Sequence, residues 1–156
     1  MRFPACAVLA AALLVGACAS KPPPPPAPGV VEMSLHATAS LNPDPSGQPA
    51  PVVVRIYELA ASGAFSGADF FLLFDKEAAT LGADLKGRQE VTLLPGETRT
   101  LTLPLADGTR RIGVAVAFRD IDHADWRAAV EVPGHRTTKL DATLSGVGVT
   151  LAKLGS

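Results

Sequence analysis

From Val30 onward the apolar positions recur mainly at every second residue. Met33, Leu35, Ala37, Ala39 and Leu41 alternate with Glu32, Ser34, His36, Thr38 and Ser40, the pattern of a strand with one buried and one wet face. Val52 to Tyr57 is a second strand, rich in β-branched residues. Leu101, Leu103 and Leu105 interleave with Thr100, Thr102 and Pro104 behind a Pro95-Gly96 turn, so this segment is predicted to pair with Glu90 to Leu94 as a hairpin. Ile112, Val114, Val116 and Phe118 alternate with Gly113, Ala115 and Ala117, and the smallness of that second face predicts a closely packed neighbour. Trp126, Ala128, Val130 and Val132 follow, then Thr138, Leu140, Ala142 and Leu144, and last Val147, Val149 and Leu151. Short strands set between turns predict an all-β protein, a two-sheet sandwich of about seven or eight strands.

One stretch breaks the alternation. Between Ser66 and Leu85 the residues Phe70, Phe71, Leu73, Phe74, Ala78 and Leu81 recur at three and four, which predicts a short helical insertion of one or two helices. Ser66 or Asp69 can cap its start, and Gly82 stands near its end. Its phenylalanines need an apolar surface, and the small face of Gly113, Ala115 and Ala117 is the expected one.

The first residues follow another logic. Met1-Arg2 carries a positive charge, Ala5 to Val15 is apolar, and Gly16-Ala17 is small, the layout of a signal peptide over residues 1–17. The apolar run is too short to span a membrane, which takes about 20 residues. Val15-Gly16-Ala17-Cys18 resembles a lipobox, so Cys18 is the expected lipidation site, and several acyl chains make an effectively permanent anchor. Residues 18–29, with Pro22 to Pro26 and Pro28, form a Pro-rich tether expected to run as polyproline II and to span roughly 20 Å or more. Residues 30–156 are then a single β-sandwich domain.

With Cys6 removed and Cys18 acylated, neither of the two cysteines is left for a disulfide, a metal or nucleophilic catalysis. Loss of Arg2 takes the formal net charge from −1 to −2, which predicts no basic field for nucleic acid or anionic lipid. No Gly-x-Ser-x-Gly, His-Glu-x-x-His, phosphate-cradling loop or zinc spacing occurs, so no cofactor, no metal site and no catalytic residue is expected. His36, His123 and His135 are scattered. Asp120, Asp122, His123 and Asp125 form the one polar cluster, which lacks the spacing of a calcium loop and reads as turn-forming residues whose carboxylates are expected to partner Arg119 or Arg127.

In order along the chain, Leu41-Asn42-Pro43-Asp44, Pro51 to Leu59, Phe65, Ala68-Asp69-Phe70-Phe71, Phe74-Asp75, Leu81 to Leu85, Pro95-Gly96-Glu97, Phe118-Arg119-Asp120 and Trp126-Arg127 resemble the TssJ (SciN/VasD) family. Those proteins are outer-membrane lipoproteins of the type VI secretion system. The resemblance implies a transthyretin-like β-sandwich without catalytic activity, lipid-anchored in the outer membrane and facing the periplasm. The implied partner is the periplasmic C-terminal region of the inner-membrane protein TssM, and through it TssL. The loop between the first two strands is the family's recognition element, and here it implies Asn42, Pro43, Asp44, Pro45, Ser46, Gly47 and Gln48 as partner-binding residues. Its prolines limit the entropy lost on binding.

Two other classes compete. A periplasmic sandwich lipoprotein that binds a carbohydrate or peptidoglycan fragment would display Tyr57 and Trp126 together on one surface. A hydrolase would need a Ser, a His and a carboxylate to converge within hydrogen-bond reach in the fold.

Overall fold

The computed structural model describes residues 23–155. The signal segment 1–17 and Cys18 lie outside the described residues. Eight strands build two four-stranded sheets. The first has the order β4-β1-β7-β8, with β1 Val30–Ala37, β4 Thr98–Pro104, β7 Thr137–Ser145 and β8 Gly148–Lys153. The second has the order β3-β2-β5-β6, with β2 Val52–Leu59, β3 Leu85–Leu93, β5 Arg111–Val116 and β6 Arg127–Glu131. β1 lies parallel to β7, the other strand pairs are antiparallel, and an isolated parallel bridge joins Asp125 to Gly148.

The alternating residues named above meet between the sheets. Val31, Met33 and Leu35 of β1, Val54 and Ile56 of β2, Ile112, Val114 and Val116 of β5, and Leu140, Ala142 and Leu144 of β7 are buried in one continuous core. Enclosing each large aliphatic side chain stabilises the fold by about 1.5–3 kcal/mol. In the first strand the alternation outruns the strand itself: β1 stops at Ala37, and Leu41 returns to the core through a turn in which its N–H bonds to Thr38 O at 3.1 Å.

The expected hairpin does not form. β3 pairs with β2 and β4 pairs with β1, so the Pro95-Gly96 turn carries the chain from one sheet to the other. The turn itself is as expected, with Gly96 at φ 77° and Glu97 N–H bonded to Leu94 O at 3.0 Å. Pairing failed to follow because alternation fixes which face of a strand is buried and leaves the neighbouring strand open.

The insertion consists of three short helices, α1 Gly63–Gly67, α2 Phe70–Asp75 and α3 Glu77–Leu81, followed by a 3-10 turn. Asp69 caps α2 by accepting from Phe71 N–H at 2.9 Å, and Gly82 ends α3 at φ 52°. The helices cover the outer face of the second sheet, burying Tyr57, Leu59, Phe65, Leu73, Leu81 and Ala115 in a second apolar cluster. Phe65 lies flat on Gly113, where a Cβ would stand 2.9 Å from its ring, so only glycine admits that approach. Ala117 falls outside this cover, since β5 has ended and its N–H bonds to Val53 O. Arg55 of β2 and Arg127 of β6 reach outward to strap the helices, donating to Phe74 O and to Phe65 O and Ala68 O.

Candidate functional site

Strand direction divides the sandwich into two ends. Val30 lies beside Pro104 and Thr137, and Ala37 beside Leu144, so the segment that precedes β1 enters at one end and the β1–β2 loop leaves at the other. At the entry end Gly29 N–H bonds to Gly134 O at 2.7 Å and Gly29 O accepts from Leu105 N–H at 2.9 Å. At the far end four connections gather: residues 38–51, 94–97, 117–126 and 146–147.

Asn42 joins them. Its side chain is buried, with 2% exposure. Its Nδ2 donates to Pro51 O at 2.9 Å, its Oδ1 accepts from Arg119 N–H at 2.9 Å, and its own N–H donates to Gly146 O at 2.7 Å. It holds φ at 49°, a left-handed conformation that asparagine tolerates better than most residues. The fourth connection is tied in by the backbone, through Ala37 N–H to Glu97 O and Gly96 N–H to Thr38 O.

Asp44 organises the tip. Its Oδ1 accepts from Ser46 N–H at 2.8 Å, Ser46 Oγ at 2.7 Å and Gln48 N–H at 2.9 Å, while Gly47 N–H bonds to Asp44 O at 2.8 Å. The bond from the Ser46 hydroxyl, followed by that from the Gln48 amide, holds the Asp44 carboxyl below the usual carboxylate range. Pro45, Ser46, Gly47, Gln48 and Pro49 are exposed on this rigid frame, and Pro43 and Asp44 are half-buried beneath them.

Of the residues expected to contact a partner, Asn42 is therefore turned inward, because both polar atoms of its amide are engaged by the backbone. Leu94 was not foreseen. It is 55% exposed at the same end, on a turn stiffened by Glu97, whose Oε2 accepts from Leu94 N–H at 2.8 Å and whose Oε1 pairs with Arg99. Two leucines before Pro95 were its only signal in the sequence.

Among the described residues the acidic turn beside this loop holds one ion pair, Asp120 Oδ1 to His123 Nδ1 at 2.7 Å, which raises the His123 pKa; the expected pairing with Arg119 or Arg127 does not form, and Arg127 donates instead to Phe65 O and Ala68 O. Among the described residues no group of three or more His, Cys, Asp or Glu could hold a metal ion. Tyr57 and Trp126 do not form a sugar platform. Tyr57 is fully buried beside Phe65, its hydroxyl has no hydrogen-bond partner among the described residues, and burial pushes its pKa up to about 12. Trp126 is half-buried against Phe70 and Arg127.

Among the described residues a hydroxyl, an imidazole and a carboxylate meet once, and the hydroxyl is that of a threonine, not a serine. On the outer face of the first sheet His36 Nδ1 lies 3.1 Å from Thr98 Oγ1 and His36 Nε2 lies 2.9 Å from Asp141 Oδ2. His36 and Thr98 are directly opposed across β1 and β4, and Asp141 stands diagonally on β7, all on the outer face of the sheet.

Residues 30–146 match the type VI secretion lipoprotein family (VasD, EvfM, TssJ). The chain belongs to that family. Its fold superposes on the crystal structure of the type VI lipoprotein TssJ1 from Pseudomonas aeruginosa, with 42% identity, a TM-score of 0.79, and coverage of 83% of this chain and 98% of that one. A chain in the structure of the type VI TssM C-terminal domain from EAEC is 28% identical, with a TM-score of 0.64 over 81% of this chain and 98% of that one. Lip of Serratia marcescens, a membrane-bound component of the type VI system, shares the fold at 24% identity and a TM-score of 0.73, over 80% of this chain and 97% of its own. No curated protein matches the chain. TssJ-family proteins are structural lipoproteins of the secretion system and not enzymes, and the Thr98, His36 and Asp141 contacts are accordingly sheet contacts.

Proposed function

We propose that this TssJ-family chain anchors the type VI trans-envelope complex. Cys18 carries the lipid in the outer membrane, residues 18–29 are the tether, and the domain faces the periplasm. The end bearing the β1–β2 loop binds the periplasmic C-terminal region of a TssM-type inner-membrane protein, which connects it indirectly to TssL. The observation that carries this reading is the opposition of the two ends: the tether enters beside Gly134 and the exposed 45–49 tip stands at the far end of β1. A loop already held by Asn42 and Asp44 loses little freedom when a partner takes it. Pro43, Asp44, Pro45, Ser46, Gly47 and Gln48 supply the surface, and Asn42 acts from beneath as a positioning residue.

The test is a titration of the mature chain with the TssM-type region, run alongside a variant lacking Asp44 to Gln48. Saturable binding that the deletion weakens at least tenfold, with Tm little changed, is the expected result. Equal affinity in a folded deletion variant moves the interface elsewhere, and no binding by the native chain removes the anchoring role.

A further inference from the structure

The net charge of the chain hides a separation of charge. Around the loop end stand Asp44, Asp120, Asp122 and Asp125, with Arg119 as the one nearby arginine in those two connections. At the tether end the sign reverses. Arg136, Lys139 and Lys153 line one open cleft of about 660 Å³, and none of its described lining residues is an Asp or Glu. Lys153 also borders the adjoining cleft with Arg110, whose guanidinium lies against Gly134. Among the described residues Arg110, Arg136 and Lys153 have no carboxylate within salt-bridge range, and Lys139 reaches Glu32 only at 3.9 Å. Glu131, which borders the adjoining cleft, is engaged by Arg111 at 2.8 Å.

The chain enters through the same patch. Gly29 bonds to Gly134, Val30 N–H to Arg136 O, and Ala27 O lies 3.3 Å from His135 Nδ1. Cys18 is only a short tract before Ala27 in the sequence, so at about 3.1 Å per residue of polyproline II a lipid at Cys18 keeps Arg110, Arg136, Lys139 and Lys153 within roughly 30 Å of a bilayer. That length sets a ceiling on the height of the domain and leaves it free to lie lower. We infer that Arg110, Arg136, Lys139 and Lys153 form a basic collar around the tether that seats the domain on the anionic phospholipid surface of its own membrane, with the tether lying along that surface. The inference rests on the acylation of Cys18 proposed above. The occupant follows from charge complementarity and from where the chain leaves the fold: the collar surrounds the segment that leads to the lipid, and anionic headgroups are the negative surface it meets first. Seating by the collar turns the acidic loop end away from the bilayer and toward the periplasm, the orientation a trans-envelope partner requires.

The experiment uses the mature chain with Cys18→Ser, so that no acyl chain contributes, and sediments it with vesicles of phosphatidylethanolamine with or without phosphatidylglycerol. Partition onto the anionic vesicles is expected, declining as salt is raised. Each basic side chain near an anionic surface multiplies partition about fivefold, so Arg136→Gln with Lys153→Gln should lower it roughly 25-fold at unchanged Tm. Lys76→Gln, on the helical insertion, should leave it unaltered. Equal partition onto both vesicle types overturns the inference, as does a double variant that binds like the native chain. Saturable binding of inorganic phosphate without vesicle binding overturns it in favour of a small-anion site. Because lipid on Cys18 is read separately, by mass spectrometry of the native chain, failure of the collar and failure of the anchor are told apart.

Discussion

The two ends of the sandwich are held in different ways. At the loop end the shape depends on side chains: Asn42 fastens three connections through its amide and its backbone, and Asp44 folds the tip with one carboxylate oxygen. At the tether end the shape depends on the backbone, with Gly29, Leu105, Gly134 and Arg136 bonded through main-chain groups and Gly29 pressed against main chain. A single truncated side chain can therefore undo the first end, while the second yields only to added bulk.

Asn42→Ala tests this most severely. It leaves Pro51 O and Arg119 N–H unpaired and puts alanine at a left-handed φ, for an expected loss of about 3 kcal/mol or a Tm lower by roughly 10 °C. Asn42→Gly removes the same bonds but tolerates the φ, and should recover about 1 kcal/mol of that loss. Equal Tm values for the two variants would mean that the backbone conformation contributes nothing to the cost. At the other end Gly29→Val is the matching change. Its Cβ would meet Gly134 C and O and Arg136 O at 3.0 Å, all main-chain atoms, for an expected loss of about 1–2 kcal/mol. Arg136→Ala should cost less than about 0.5 kcal/mol in the same melting experiment. A larger loss for Arg136→Ala than for Gly29→Val would reverse the contrast drawn here.

The alternation of β1, β5 and β7 made the sandwich and its inter-sheet core legible, because a period of two needs only the identity of successive residues. The small face of Gly113 and Ala115 likewise announced the helices that cover it. What stayed hidden required knowing which strands are neighbours. Glu90 to Leu94 and Thr100 to Leu105 have the right faces for a hairpin and belong to different sheets. Asn42 reads as a loop residue open to a partner, and only the arrival of Arg119 and Gly146 from distant segments encloses it. The basic end escaped for the same reason, since Arg110, Arg136, Lys139 and Lys153 come from three parts of the chain and the net charge averages them against the loop end.

The smallest expected effects are titrations at the loop end. The Asp44 pKa is lowered in the fold, so the order it gives the tip is fully present above its unfolded value of about 4 and is lost as the pH falls through the lower folded value. The Ser46 and Gln48 amides should shift in that window while the core resonances stay fixed. His123 behaves in the opposite sense. Its pKa is raised by Asp120, so its contribution is complete below about pH 6.5 and is lost as the pH rises through the folded value. An NMR titration of Asp120→Asn should return His123 toward about 6.5 with no change in Tm. A His123 that titrates identically in the variant would show that the pair does not form in solution.

β1 also fixes how a pull would travel. The tether leads into Val30, and the strand runs directly into the loop that begins after Ala37. If the membrane holds one end and a partner holds the tip, the tension between them runs along Val30 to Asn42 through covalent bonds, with no sheet hydrogen bond in series. The eight residues of β1 are already extended to about 26 Å, so this stretch has almost no slack to give. Under such a pull the remaining strands would act as a sleeve that keeps a taut cable straight, and the domain would carry the load without being asked to unfold.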